Sequence, residues 1–315
     1  MDHGFAFILS AIKFEVDLPI ELVPKHWLDK ATSKQIMKIK PLLKTFTISN
    51  PFFISPYEND IRAVNGDKPG TVKYQHTALS AEELRYYVVN FEGTNVELQT
   101  IQHACLVLTD EIRFGFHFLE SESFGSGFGW HSQSLHTFFS DANLEAGIAR
   151  SISTDDIRLV SETYSAIKEL PNEFEHISRA FKRFNDLWNI PASSELIVIG
   201  LFSVIESLLT HAPKLSESAD SLMHQIRSKI PLVRKRFVRE LDHRLIFGEI
   251  KEDNLWSKLY AYRSRIVHGE HATFDGELRI LRDRRTVVHF LREATKLLLI
   301  ASLREPLLMT DLKKC

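Results

Sequence analysis

Residues 195–211 read E-L-I-V-I-G-L-F-S-V-I-E-S-L-L-T-H, from Glu195 to His211. Pro191 interrupts whatever precedes them, and Ser193 and Ser194 are capping types at the entrance to a helix. A helix apolar on every side is expected at the centre of a bundle. Inside it stands Glu206. A buried carboxylate without a partner costs several kcal/mol, so Glu206 calls for a cation on a facing helix or must keep its proton. Two readings stay open: a structural ion pair within the bundle, or a carboxylate that positions a working cation.

Outward from this helix, the period is helical from about Ser161 to the end. Glu173 to Trp188 carries Phe174, Ile177, Phe181, Phe184 and Trp188 at i, i+3, i+4 spacing. Ser218 to Arg239 is a basic segment with Arg227, Lys229, Arg234, Lys235, Arg236 and Arg239, interrupted by Pro231. It is either a solvated face or a surface for a nucleic-acid backbone. Gly276 to Arg304 turns Leu278, Leu281, Val288, Leu291, Leu298 and Leu299 inwards, with Arg279, Arg282, Arg284 and Arg285 near its start. Pro306 is expected to end it and leave a frayed tail.

The first half is mixed. Phe5 to Val16 and Tyr86 to Phe91 have strand composition, and Ser33 to Leu43 reads as a helix capped by Ser33. Asn50 to Gly70 is turn-rich and reads as surface loops. Ile112, Phe114, Phe116 and Phe118 alternate with Arg113, Gly115 and His117, which predicts a half-buried strand. Phe124 to Trp130 is glycine-rich but lacks the G-K-[S/T] ending of a phosphate loop, and reads as a loop carrying aromatics. The fold class is therefore α+β: a mixed domain over 1–155, then a helical bundle over 156–315.

Composition sets limits. Hydrophobic residues at 44% and charged residues at 25% are ordinary globular values for 315 residues. No apolar run approaches the ~20 residues of a membrane span, and Phe5 to Leu9 is too short for a signal peptide. Cys105 and Cys315 offer no disulfide framework, and the chain reads as cytoplasmic. The net charge of −2 divides into −5 for residues 1–150 and +3 for 151–315. His131 with His136, and His268 with His271, lack the further ligands a zinc site needs, so neither metal nor cofactor is expected.

Within the basic half, Tyr260 to Gly269 reads Y-A-Y-R-S-R-I-V-H-G. Asp253 or Asn254 is the expected helix start, Leu255, Leu259, Tyr262 and Ile266 its apolar stripe, and Gly269 its C′ residue. His268 then falls in the last turn, where carbonyls and the helix dipole favour positive charge. Arg263 and His268 lie roughly 140° apart on an ideal helix. They converge on one phosphate only if the helix stops at His268 or a second copy completes the site. An Arg and a His suffice for cleavage of RNA by its own 2′-hydroxyl. Histidine exchanges protons near neutral pH, and guanidinium holds phosphate and stabilises developing charge.

Arg263-Ser-Arg-Ile-Val-His268-Gly, the apolar helix with its embedded glutamate some sixty residues upstream, and the long helix after the motif resemble the HEPN superfamily, most nearly its Apea-like branch, over residues 158–310. Ser264 departs from the pattern, since many active members carry Asn, Asp or His there. The resemblance implies a metal-independent endoribonuclease acting as a homodimer, with catalytic Arg263 and His268. Glu206, Ser264, Arg265 and Tyr262 would support them, and Arg234, Lys235, Arg236, Arg279 and Arg282 would bind RNA. It also implies a role as a toxin or antiphage defence effector, with an unidentified trigger or antitoxin at the first domain. The alternative function is a non-catalytic RNA- or nucleotide-binding or regulatory module. Separately, the motif can be read as purely structural, with Arg263 paired to Glu206 and His268 capping the helix carbonyls.

Overall fold

The computed structural model describes residues 2–47, 53–66, 71–121, 125–130, 135, 147–191, 193–212 and 221–315. Two compact units emerge, Met1–Tyr164 and Ser165–Cys315. The fold is α+β, with strands in the first unit and helices in the second.

The strands of the first unit are β1 His3–Ile8, β2 Ile12–Phe14, β3 Ile20–Val23, β4 His26–Lys30, β5 Asn59–Asn65, β6 Val72–Ala78, β7 Tyr87–Glu92, β8 Phe114–Ser121, β9 Gly125–Trp130 and β10 Arg150–Ile152. Six form one antiparallel sheet in the order β3-β4-β7-β1-β8-β9. Helix α1, Ser33–Thr47, packs Ile39 and Leu43 into a core with Phe5, Phe7, Tyr57, Val88 and Phe116. The buried Tyr57 hydroxyl donates to the Leu9 carbonyl at 2.6 Å, which satisfies its polar end. The cap of α1 is Thr32 rather than Ser33. Gln35 N–H donates to the Thr32 hydroxyl, and the Gln35 side-chain oxygen accepts the Thr32 N–H, a reciprocal capping box.

Strand β8 departs from the half-buried expectation, because Gly115 and His117 are buried as well as Phe114 and Phe116, while Phe118 is only half-buried. Gly129 of β9 makes the burial of His117 possible: a Cβ there would stand 2.7 Å from the His117 ring. Burial lowers the His117 pKa, and its Nε2 lies 2.8 Å from the Asn95 amide. The glycine-rich stretch is strand β9 and not a loop, while Phe124 lies outside the described residues. The expected surface loop contains β5, which pairs antiparallel with β6 from Asn59↔Ala78 to Asn65↔Val72. Its flanks at 48–52 and 67–70 lie outside the described residues.

Helix α2, Glu97–Cys105, anchors the start of β8 through Gln102, whose side chain bonds both Ile112 O and Phe114 N. Helix α3, Thr154–Glu169, is capped by a Ser153–Asp156 box, and the division between the units falls within it.

The second unit holds α4 Glu175–Asp186, α5 Leu196–Leu209, α6 Leu222–Val233, α7 His243–Phe247, α8 Glu252–Val267, α9 Arg284–Arg304 and α10 Pro306–Lys314. As expected, α5 contributes much of the core: Ile197, Val198, Leu201, Phe202, Val204, Ile205 and Leu208 are each at most 1% exposed. It is not buried all round. Leu196 is 59% exposed and Ser203 lies on the surface, because α5's own small and polar residues, Gly200, Ser203 and Glu206, share one stripe. Two ammonium groups close its C-terminal end, Lys229 on Leu209 O at 2.9 Å and Lys313 on Ser207 O at 2.7 Å. The tail expected to fray is the helix α10. Pro306 occupies its first turn, where no N–H donor is required, and Met309 is buried.

Candidate active site

Helix α8 carries the Arg263–His268 pair. It begins at Glu252 behind Lys251, one or two residues before the expected start. Asp253 is not the cap because its carboxylate faces Arg227, 3.2 Å away. The C-terminal end matches the sequence expectation. Gly269 adopts φ +71, Gly269 N–H donates to Ile266 O at 3.1 Å, and Glu270 N–H donates to Arg265 O at 2.9 Å. These are the two bonds of a Schellman motif, and only glycine enters the left-handed region without steric cost. The last helical residue is therefore Val267, and His268 leaves the helix axis with φ −84 and ψ 2.

His268 is exposed, and its imidazole makes no hydrogen bond or ion pair among the described residues. In particular it does not cap the helix carbonyls. Arg263 is held differently. Its Nη2 lies 3.4 Å from Glu206 Oε1 on α5, with both side chains largely covered, and its guanidinium lies 5.3 Å from the Tyr260 ring centroid. Tyr260 in turn packs edge-on against Phe202 of α5 at 5.8 Å. The contact is loose. Arg263 Nε and Glu206 Oε1 are buried and neither makes a hydrogen bond. Burial raises the Glu206 pKa and Arg263 only partly opposes it. The unbonded Nε is buried, so a phosphate would be met by the Nη groups of this guanidinium, whose side chain is 22% exposed.

The remaining sequence-assigned residues separate into groups. Ser264 lends its backbone carbonyl to the His268 N–H at 3.0 Å. Arg265 turns to Glu277 at 3.2 Å, which it shares with Lys258. Tyr262 is fully buried, with its ring 4.9 Å from Phe274, and so belongs to the core stripe of α8. Of the basic residues, Arg234 pairs with Glu252 at 3.2 Å and Arg236 with Glu305 at 3.5 Å. Lys235, Arg279 and Arg282 are exposed without a carboxylate partner among the described residues. Sequence reasoning passed over Tyr260, although its place three residues before Arg263 on a helix puts the two side chains on one face.

Among the described residues no group of three His, Cys, Asp or Glu side chains could hold a metal ion, and no helix is long and apolar enough to cross a membrane. His268 and His271 are both exposed, and His131 and His136 lie outside the described residues. No family model matches the chain, and searches of curated proteins and of solved structures also return no match.

Proposed function

We propose that the second unit is an HEPN-type bundle and that the chain is a metal-independent endoribonuclease, a toxin or antiphage effector acting on cytoplasmic RNA. One observation carries the reading. At the end of α8, an exposed imidazole without a partner among the described residues follows a guanidinium loosely anchored on Glu206 and Tyr260 and still partly exposed. In this reading Arg263 holds the scissile phosphate, and neutral His268 takes the proton of the ribose 2′-hydroxyl. The 2′-oxygen–phosphorus bond forms and the phosphorus–5′-oxygen bond breaks, leaving a 2′,3′-cyclic phosphate and a 5′-hydroxyl. A second imidazole, from a second copy, protonates the leaving oxygen. Homodimer formation through the bundle is part of the proposal, and the exposed Leu196 and Val267, on the two helices of the site, are its apolar support. The first unit would then receive a trigger or antitoxin.

Cleavage should persist in excess EDTA and give 2′,3′-cyclic phosphate ends. Products with 5′-phosphates would rule out the mechanism. Light scattering at high micromolar concentration should return a dimer mass, and a monomer would remove the second-copy step. The second reading, a non-catalytic RNA- or nucleotide-binding or regulatory module, draws on the same Arg263–Glu206 contact, which already gives the guanidinium a carboxylate.

A further inference from the structure

We propose that the face of the first unit built by β8, β9 and α1 binds single-stranded nucleic acid, with bases stacked on Phe118, Phe128 and Trp130 and phosphates drawn to the lysines of α1. The strand pairing sets these rings side by side. Phe118 stands opposite Phe128 and Phe116 opposite Trp130, so all four point to one side of the sheet. Ring centroids follow at 6.3 Å from Phe118 to Phe128, 5.3 Å from Phe128 to Trp130 and 5.8 Å from Trp130 to Phe116. Phe116 is buried, but Phe128 is 55% and Trp130 44% exposed. Neighbouring exposed aromatics on an edge strand leave apolar area in water that a folded chain normally covers. Every other residue of β9 from Gly125 to Gly129 is glycine, so the rings are the strand's only large side chains.

Charge points to what covers them. Helix α1 has four lysines and no acidic residue in its 15 positions, inside a half of the chain whose net charge is −5. Lys38 stands 5.7 Å over the Phe118 ring, and Phe46 near the end of α1 meets Trp130 at 5.1 Å. The basic helix therefore runs along the aromatic row. Lys34, one turn before Lys38, is exposed and has no carboxylate partner among the described residues, whereas Lys38 shares Glu120 with His3. Beside Phe118 lies a groove of about 410 Å³, lined by Phe5, Gln35 and Asn90 and carrying both Lys34 and Lys38 and the carboxylates Glu92 and Glu120. Gln35 Nε2 donates to Asn90 Oδ1 at 2.7 Å, and the Asn90 amide N–H groups have no partner among the described residues and can meet the edge of a base. Rings that stack beside ammonium groups suit a strand with accessible base faces, and a duplex hides those faces.

This site stands on the first unit alone and does not rest on the cleavage reading. The test uses the full chain and a dye-labelled oligo-dT strand of about 20 nucleotides, whose anisotropy reports binding. Lacking a 2′-hydroxyl, this probe cannot be cleaved by the proposed reaction, so failure here and failure of the ribonuclease reading are separate results. The double variant Phe128→Ala, Trp130→Ala should bind at least roughly tenfold more weakly, the scale of losing stacked bases. Phe128→Tyr with Trp130→Phe should stay within about threefold of wild type, since a π-face is retained. Lys34→Ala should flatten the salt dependence by roughly 0.7, and Lys38→Ala, whose ammonium is shared with Glu120, by less. A duplex of equal length should compete poorly. Unchanged affinity in the double alanine variant, equal competition by duplex, or no binding by the wild type would each overturn the proposal.

Discussion

The basic segment of the second unit and helix α1 of the first differ in how much of their positive charge is matched by carboxylates. Arg227, Arg234, Arg236 and Arg239 each lie against a carboxylate, respectively Asp253, Glu252, Glu305 and Glu293. Glu293 shows the strength of such local pairing: burial pushes its pKa up, yet Lys296 and Arg239 hold it below the usual glutamate value. Helix α1 belongs to the acidic half and is divided: Lys38 pairs with Glu120 and Lys40 with Glu58, while Lys34 and Lys44 are exposed without a carboxylate partner among the described residues. Net charge counts residues, whereas recognition depends on charges left without partners and on what stands next to them. The charge balance of the sequence pointed to the second half, and the arrangement of side chains points also to the first.

The largest expected effect separates a structural ring from a free one. Trp256 is 1% exposed between Phe202 and Phe290, and Trp256→Ala should cost about 3–5 kcal/mol of stability in urea unfolding. Phe128→Ala, at a ring 55% exposed, should cost clearly less, about 1 kcal/mol. Comparable losses would make Phe128 a packing residue and dissolve the contrast. A smaller effect sharpens the charge comparison. Arg279→Ala and Arg282→Ala should each lower the salt slope of single-stranded RNA binding by roughly 0.7, and Arg234→Ala and Arg236→Ala by clearly less. Equal slopes would mean that the carboxylates near Arg234 and Arg236 do not shield them.

The smallest effect concerns Glu206. Its folded pKa is raised by burial beyond what Arg263 restores, so its contribution to stability is fully present below the ordinary glutamate value of 4.5 and is lost as pH rises through the folded pKa. Against Glu206→Gln, the wild type should therefore lose relative stability above about pH 4.5. A wild type that instead gains over the variant as pH rises would show a strong ion pair and contradict the loose contact described here.

Much of the second unit was legible because its signals are local and periodic. The apolar run of 196–209 and the Gly269 stop each follow from side chains acting on their own helix. The Glu206–Arg263 contact was legible for a different reason, since a carboxylate in an apolar helix needs a cation. What escaped depends on partners distant in sequence. The burial of His117 comes from Gly129, and α10 is held by Lys313 reaching Ser207. Strand β9 hid behind three glycines that read as a loop, and its two exposed rings acquire meaning only beside α1.

The ribonuclease reading is tested most directly by comparing wild type with His268→Ala in two assays on the same RNA, single-turnover cleavage in EDTA and binding affinity. His268 is exposed and without a side-chain partner among the described residues, so the variant should fold and melt as the wild type does. The account predicts that cleavage falls by roughly 10²-fold or more while affinity changes little, because every cation remains in place. A folded His268→Ala protein that cuts RNA at the wild-type rate, or a wild type that binds RNA tightly and never cuts it, would contradict the account.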